Sequence, residues 1–297
     1  TQSGFDSPWD RQISMKLLRV GNLNKEKPAI IDKSGLVRDL SSIIDDLSTK
    51  YINQNTIEKI KKLDLTQLPK IPSNTRIGAC ISNPEKFIGI GLNYSDHAEE
   101  TGMKIPSEPI IFIKANSCIC GPNDNIVIPK NSKKTDWEIE LGIIIGKKAQ
   151  YIFEDQSLEH IFGYCIVNDI SEREFQIERS GQWDKGKGCD TFGPIGPYLV
   201  TKDEINNVQD LNLELKLNGK AVQKGNTNKM IFGVNHLVSY VSQFMTLNPG
   251  DIITTGTPPG VGMAHKPPIF LKEGDEMILN IDNLGIQKQK IISIKKN

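Results

Sequence analysis

What the chain lacks narrows the field before any motif is read. Net charge is absent: 36 lysines and arginines balance 36 aspartates and glutamates, so the basic excess that nucleic-acid phosphates demand is missing. No run approaches the roughly 18 uninterrupted apolar residues of a membrane span. With 37% hydrophobic residues over 297 positions the chain still has enough apolar material for a sizeable core. Cysteines number only five, an odd count with no legible secretory leader, which fits a reducing, cytoplasmic setting better than a disulfide framework. Cys118 and Cys120 have no second pair at zinc-site spacing and read as core thiols. Repeats and low-complexity segments are missing. So are the G-x-S-x-G elbow and the G-x-x-x-x-G-K-[ST] phosphate loop, and Gly89-Ile90-Gly91 lacks the rest of a dinucleotide fingerprint. Histidine is scarce, with four in all, which leaves few candidates for acid–base work.

Punctuation by Gly and Pro divides what is present. Residues 1–14 show neither helical nor strand period and precede a second plausible start at Met15, so they read as a tag remnant or disordered extension. MKLLRVG, PAIID and LVRDL follow as short strands, and residues 41–63 have helical spacing with Ser41 or Ser42 as N-cap. Pro69 and Pro72 then mark a boundary, giving a small α/β N-terminal domain over residues 15–78. From residue 79 to 297 the apolar runs are short and β-branched (FIGIGL, PIIFIK, NIVIP, ELGIIIG, IFGYCIV, DLNLELKLNG, DIITTG, DEMILNI). Many strands and few helices predict a β-rich α+β fold, a roll or barrel rather than a doubly wound sheet. One clear helix is expected over residues 230–245, where Ile231, Val234, Val238, Val241 and Met245 recur at helical intervals.

Chemistry concentrates in five places. In Asp136-Trp137-Glu138-Ile139-Glu140-Leu141 a strand's alternation puts Glu138 and Glu140 on one face, roughly 7 Å apart. Two like charges so placed call for something positive between them, unless the strand face is simply solvated. The strand-like run over residues 161–167 ends in Asn168-Asp169, so Asp169 emerges where it can join the pair, or else serves as a plain turn or helix cap. Three carboxylates without Cys or His form an all-oxygen set, suited to Mg²⁺ or Mn²⁺ and not to zinc. His97 and Glu100, three apart, share a helix face, as in a general base oriented by a carboxylate or in ordinary surface decoration. His236 lies in a helical pattern, and His160 and His265 lack acidic partners at useful spacing. The stretch from Trp183 to Pro197 is too Gly-rich for regular structure and reads as a loop in which Lys185 or Lys187 could meet an anion; TGTPPGVG is a second such loop.

Taken in order, GLNYSDHAEE, DWEIELGIIIG, NDISEREFQ, GKGCDTFGPIGP and TGTPPGVG resemble the fumarylacetoacetate hydrolase family over residues 87–281. The resemblance implies a mixed β-roll catalytic domain, a homodimer and a divalent metal, Mg²⁺ or Mn²⁺. Its ligand pattern falls on Glu138, Glu140 and Asp169, its mobile dyad on His97 and Glu100, and its loop lysine on Lys187. Substrate contacts are implied at Arg173, Gln176 and Thr257, and the choice of substrate tail in the loop over residues 103–107. The wording around Trp183 resembles a bacterial subgroup labelled ureidoglycolate lyase or 2,4-diketo-3-deoxy-fuconate hydrolase. The implied substrate is a small anionic 2,4-dioxo acid, cleaved at a carbon–carbon bond to give a pyruvate-type product. The same chemistry also serves an isomerase or tautomerase, an oxaloacetate-type decarboxylase or a ureidoglycolate lyase. A binding protein without catalysis would instead leave the three carboxylates dispersed.

Overall fold

The structure, a computed structural model, describes residues 15–102 and 104–294. The N-terminal segment 1–14 and Met103 of the 103–107 loop lie outside the described residues. The chain opens with β1 (Lys16–Val20), β2 (Lys27–Ile31), β3 (Val37–Asp39) and α1 (Gln54–Lys61). Next come β4 (Phe87–Gly91), α2 (Ser95–Thr101), β5 (Ile110–Lys114), β6 (Ile119–Cys120), β7 (Ile126–Ile128) and β8 (Thr135–Asp136). The central strands β9 (Ile139–Ile145) and β10 (Ile161–Asn168) flank α3 (Ser157–His160) and are followed by β11 (Ser171–Glu172), α4 (Asp184–Lys187) and β12 (Gly193–Thr201). Last are β13 (Asn212–Leu217), β14 (Lys220–Asn226), α5 (Val234–Ser242), β15 (Ile252–Thr254), β16 (Glu276–Ile281) and β17 (Gly285–Ser293).

The long sheet runs β3-β2-β1-β12-β10-β9-β15-β4-β5, with β6 added beside β12. A second sheet runs β14-β13-β16-β17-β7. Both are mixed: β15 lies parallel to β4, β6 to β12 and β7 to β17, while the other pairs are antiparallel. Every residue of β9 and β10 is buried, as the β-branched runs demand for strands covered on both faces. Gln223 and Gln287 stitch the sheets together, Gln223 accepting from the Ile139 N–H and Gln287 donating to the Ile166 and Gly196 carbonyls. The result is the β-rich α+β architecture expected from the strand pattern.

Residues 15–78 add three strands to the long sheet through the β1–β12 pairing, and Met15, Leu17, Ile30 and Leu40 belong to the same core as Ile143 and Ile166. The helix expected over residues 41–63 is confined to α1. Upstream, the Asp39 carboxylate takes both the N–H and the hydroxyl of Ser41 at 2.8 and 2.6 Å, and Asn53 caps α1 by accepting from the Thr56 N–H. Such side-chain to backbone bonds offer Ser- and Asp-rich segments an alternative to the helix. The run over residues 183–197 is more regular than its glycines suggested: it holds α4 and the buried start of β12, whose Ile195 pairs with Val167. The helix expected at residues 230–245 is present as the shorter α5, with Val234, Leu237, Val238 and Val241 buried.

Candidate active site

Register builds the site. In the β9–β10 pair Glu140 stands opposite Val167 and Ile139 opposite Asn168. One residue further, the Asp169 N–H donates to the Glu138 carbonyl at 2.8 Å, and the Asn168 side chain accepts from the Glu138 N–H. The carboxylates of Glu138, Glu140 and Asp169 are thereby brought together, all buried, with one oxygen from each lying within 4.8 Å of the others. Dispersed, solvated acids are excluded by that geometry.

Positive charge enters the cluster from three side chains, which pair with Glu138 and Asp169 and leave Glu140 without an ion pair. Lys187 Nζ lies 2.7 Å from both Glu138 Oε2 and Asp169 Oδ2. Arg173 Nη2 lies 2.7 Å from Glu138 Oε1, while its Nε donates to Asp136 Oδ2 at 2.9 Å and its Nη1 to Gln176 Oε1 at 3.1 Å. The third cation is Lys114, at the inner end of β5 and fully buried, whose Nζ donates to Asp169 Oδ1 at 2.6 Å and to the Lys187 carbonyl at 2.5 Å. Sequence reasoning missed Lys114; the signal was a lysine closing the apolar run PIIFIK, two places from the buried Phe112 on the same strand face. Of the two lysines left open in the loop, Lys187 turns inward and Lys185 stays on the surface, donating to the Arg179 carbonyl.

These charges divide the carboxyls. Burial would raise Glu138, but Lys187 and Arg173 override it and hold the group down at about 2. Glu140 is pushed up by burial and by the charges of Asp169 and Glu138, although Thr254 Oγ1 and the Gly256 N–H both donate to its Oε2, at 2.5 and 2.8 Å. With Asp136 included, four carboxylates face three cations. Counted as fully ionised, the cluster carries a net charge of minus one, and a divalent cation held there would relieve the repulsion around Glu140 and bring the net charge to plus one. The all-oxygen trio fits such a hard ion.

The dyad is held to the same frame. His97 and Glu100 lie on α2, with His97 Nδ1 at 3.1 Å from Glu100 Oε2. Glu100 also accepts from the Gly260 N–H at 3.0 Å, so the loop after β15 bonds Glu140 at Gly256 and Glu100 at Gly260. Asn93 fixes the start of α2 by donating to the Thr255 carbonyl and accepting from the Phe232 N–H. Thr257 is buried in that loop and its hydroxyl is occupied within the protein, donating to the Ile139 carbonyl and accepting from Gln223. Its side chain therefore anchors Ile139, the residue between the two glutamates. Gln176 is buried beside Arg173.

The five cysteines are unbridged, Cys118 and Cys120 among the buried ones. Among the described residues no helix is long and apolar enough to cross a membrane.

Comparison with known proteins gives the family and the fold. Residues 86–292 match the family model described as fumarylacetoacetate (FAA) hydrolase C-terminal. A relative from Burkholderia orbicola (strain MC0-3) that carries a general hydrolase name is 55% identical over 277 residues, covering 93% of this chain and 98% of its own. A solved fumarylacetoacetate hydrolase from Exiguobacterium antarcticum is 33% identical with a TM-score of 0.85, over 95% of this chain and 100% of that one. A 2-hydroxyhepta-2,4-diene-1,7-dioate isomerase from Mycobacterium marinum is 32% identical with a TM-score of 0.76, over 95% and 100%.

Proposed function

This chain belongs to the fumarylacetoacetate hydrolase family, and from that premise we propose that it is a divalent-cation-dependent hydrolase that cleaves a carbon–carbon bond of a small anionic 2,4-dioxo acid and releases a pyruvate-type product. The observation that carries this reading is the convergence of three cations on a buried carboxylate trio that shares a loop with a His–Glu dyad.

Glu138, Glu140 and Asp169 would hold Mg²⁺ or Mn²⁺, which when bound supplies a Lewis acid for the oxygens of a 2-oxo acid. The chain's own groups do the rest. Arg173 and Lys187 draw the substrate carboxylate toward the trio. Glu100 accepts at Nδ1 of His97, which favours the tautomer with the basic lone pair on Nε2. Nε2 then takes a proton from water as its oxygen bonds to the distal carbonyl carbon. The bond between that carbon and the methylene breaks, leaving a carboxylic acid and a pyruvate enolate whose charge lies near Lys187 Nζ. His97 returns the proton to carbon, so the net reaction consumes one water.

A second reading is favoured by the isomerase among the similar structures: with water excluded, the same dyad moves a proton between two carbons. An assay for pyruvate release from acylpyruvates and 2,4-diketo-3-deoxy sugar acids, with Mg²⁺, Mn²⁺ or EDTA, separates the two. Cation-dependent pyruvate is the expected result. An absorbance change without pyruvate favours isomerisation, and pyruvate release undiminished by EDTA contradicts the metal's place in the reaction.

A further inference from the structure

Four N–H groups converge on the carboxylate of Asp136, fully buried at the end of β8 and two residues before Glu138. Its Oδ1 accepts from the Trp137 N–H at 2.8 Å and from the Gly262 N–H at 2.6 Å. Its Oδ2 accepts from the Met263 N–H at 3.0 Å and from Arg173 Nε at 2.9 Å. Two oxygens with four lone pairs take all four donors, which a carboxylate can do and an amide or a hydroxyl cannot.

The donors come from both halves of the site. On one side stands Arg173. The β8–β11 pairing sets Ser171 opposite Asp136, and the Arg173 N–H donates to the Lys134 carbonyl. The arginine's backbone and its guanidinium therefore both rest on the strand segment that ends in Asp136. On the other side the bonds lead to the dyad. Trp137 Nε1 donates to the Gly260 carbonyl at 3.1 Å, and the Gly260 N–H donates to Glu100, the partner of His97. Gly262 and Met263 continue the same loop. It fits closely: a Cβ on Gly260 would fall 1.9 Å from the Val222 carbonyl oxygen, and one on Gly262 would fall 2.7 Å from Asp136 Oδ1. Such a loop has little slack to absorb a displacement at Gly262 before it reaches Gly260.

We propose that Asp136 is a positioning residue for the reaction. It aims the Arg173 guanidinium at the substrate carboxylate and, through Trp137 and the loop over residues 260–263, sets the amide that orients Glu100 against His97. One buried carboxylate thus couples substrate binding to the general base. The proposal rests on the dioxo-acid reading above and adds a residue that touches neither the substrate nor the reacting atoms.

The test uses Asp136→Asn, which keeps the volume but offers one acceptor oxygen and turns two N–H groups toward the remaining donors. Asp136→Ser is the second variant, and either one alone decides the matter. At saturating Mn²⁺, KM for an acylpyruvate is expected to rise about tenfold, the loss of one charge-assisted hydrogen bond. Misorienting the dyad should lower kcat by at least about tenfold in the same variant. Double-mutant cycles give the readout that a purely structural role would not move. Calorimetry with pyruvate and Mn²⁺ should show an affinity loss of about tenfold in Asp136→Asn that shrinks below about threefold in an Arg173→Lys background. The kcat loss should shrink in the same way in a Glu100→Gln background. A variant that only melts lower, with KM and pyruvate affinity unchanged, overturns the proposal. Losses that multiply in either double variant overturn it too, because Asp136 would then not act through that partner. If the wild type cleaves no acylpyruvate while the pyruvate cycle shows the coupling, the reading of the reaction fails and the hold of Asp136 on Arg173 stands.

Discussion

Replacing Lys114 by methionine removes one charge from the centre while keeping most of the side chain's bulk. The Lys114 ammonium is fully buried, 2.6 Å from Asp169 Oδ1 and 2.5 Å from the Lys187 carbonyl. Deleting one partner of a buried ion pair costs about 3–5 kcal/mol because the other charge stays buried. Asp169 retains Lys187 at 2.7 Å, so the low end, about 3 kcal/mol, applies. At about 2–4 °C per kcal/mol for a chain of this class, the metal-free variant should melt roughly 6 °C or more below the wild type. The same deletion leaves the trio more negative, so a divalent cation should recover more stability in Lys114→Met than in the wild type. Differential scanning fluorimetry in EDTA and in millimolar Mg²⁺ or Mn²⁺ reads both effects. A deficit that is identical with and without the cation would refute the charge argument, and no deficit in EDTA would refute the buried pairing.

Three further outcomes follow from the same geometry. His97→Ala should lower kcat by about 10²–10⁴ while leaving Mn²⁺ affinity within a factor of about two; lost metal affinity would move His97 into the ligand set. Arg173→Lys cannot bridge Asp136, Gln176 and Glu138 at once, so KM for the dioxo acid should rise several-fold, and an unchanged KM in steady-state kinetics would take Arg173 out of the substrate site. In the β2–β3 turn the Ser34 hydroxyl, helped by Arg38 and against the effect of burial, holds the Asp32 carboxyl well below the usual range. A depressed folded-state pKa gives stability that is present above the unfolded value near 4 and is lost as pH falls. Melting temperatures should therefore drop less between pH 5 and pH 3 in Asp32→Asn than in the wild type, and parallel curves would refute it.

The strand pleat alone put Glu138 and Glu140 on one face, and the strand end put Asp169 within their reach, because both rules are local. Lys114 and Asp136 were not legible in that way, and the loop that holds Thr254 and Gly256 was legible as a source of hydroxyls and N–H groups but not as the partner of Glu140. Each acts through pairings more than twenty residues distant, and a lysine at the end of an apolar strand looks like any lysine reaching for solvent until β5 is known to face Asp169. The overlong helix at residues 41–63 has the opposite cause. Apolar periodicity was present in Ile43, Ile44 and Leu47, but the Asp39 and Asn53 side chains captured the backbone first and set the helix start at Gln54. Glycines misled in the run before Pro197, where pairing to β10 supplies the order that local propensity withholds.

The most direct test of the central claim is an isothermal titration of Mn²⁺ into metal-stripped wild type and into Glu140→Gln. Glu140 is the carboxylate that no ammonium or guanidinium touches, so its substitution removes a ligand without breaking an ion pair. One site per chain in the wild type, lost or weakened by at least tenfold in the variant, is the predicted result. Undiminished binding in Glu140→Gln would show that the trio does not hold the cation.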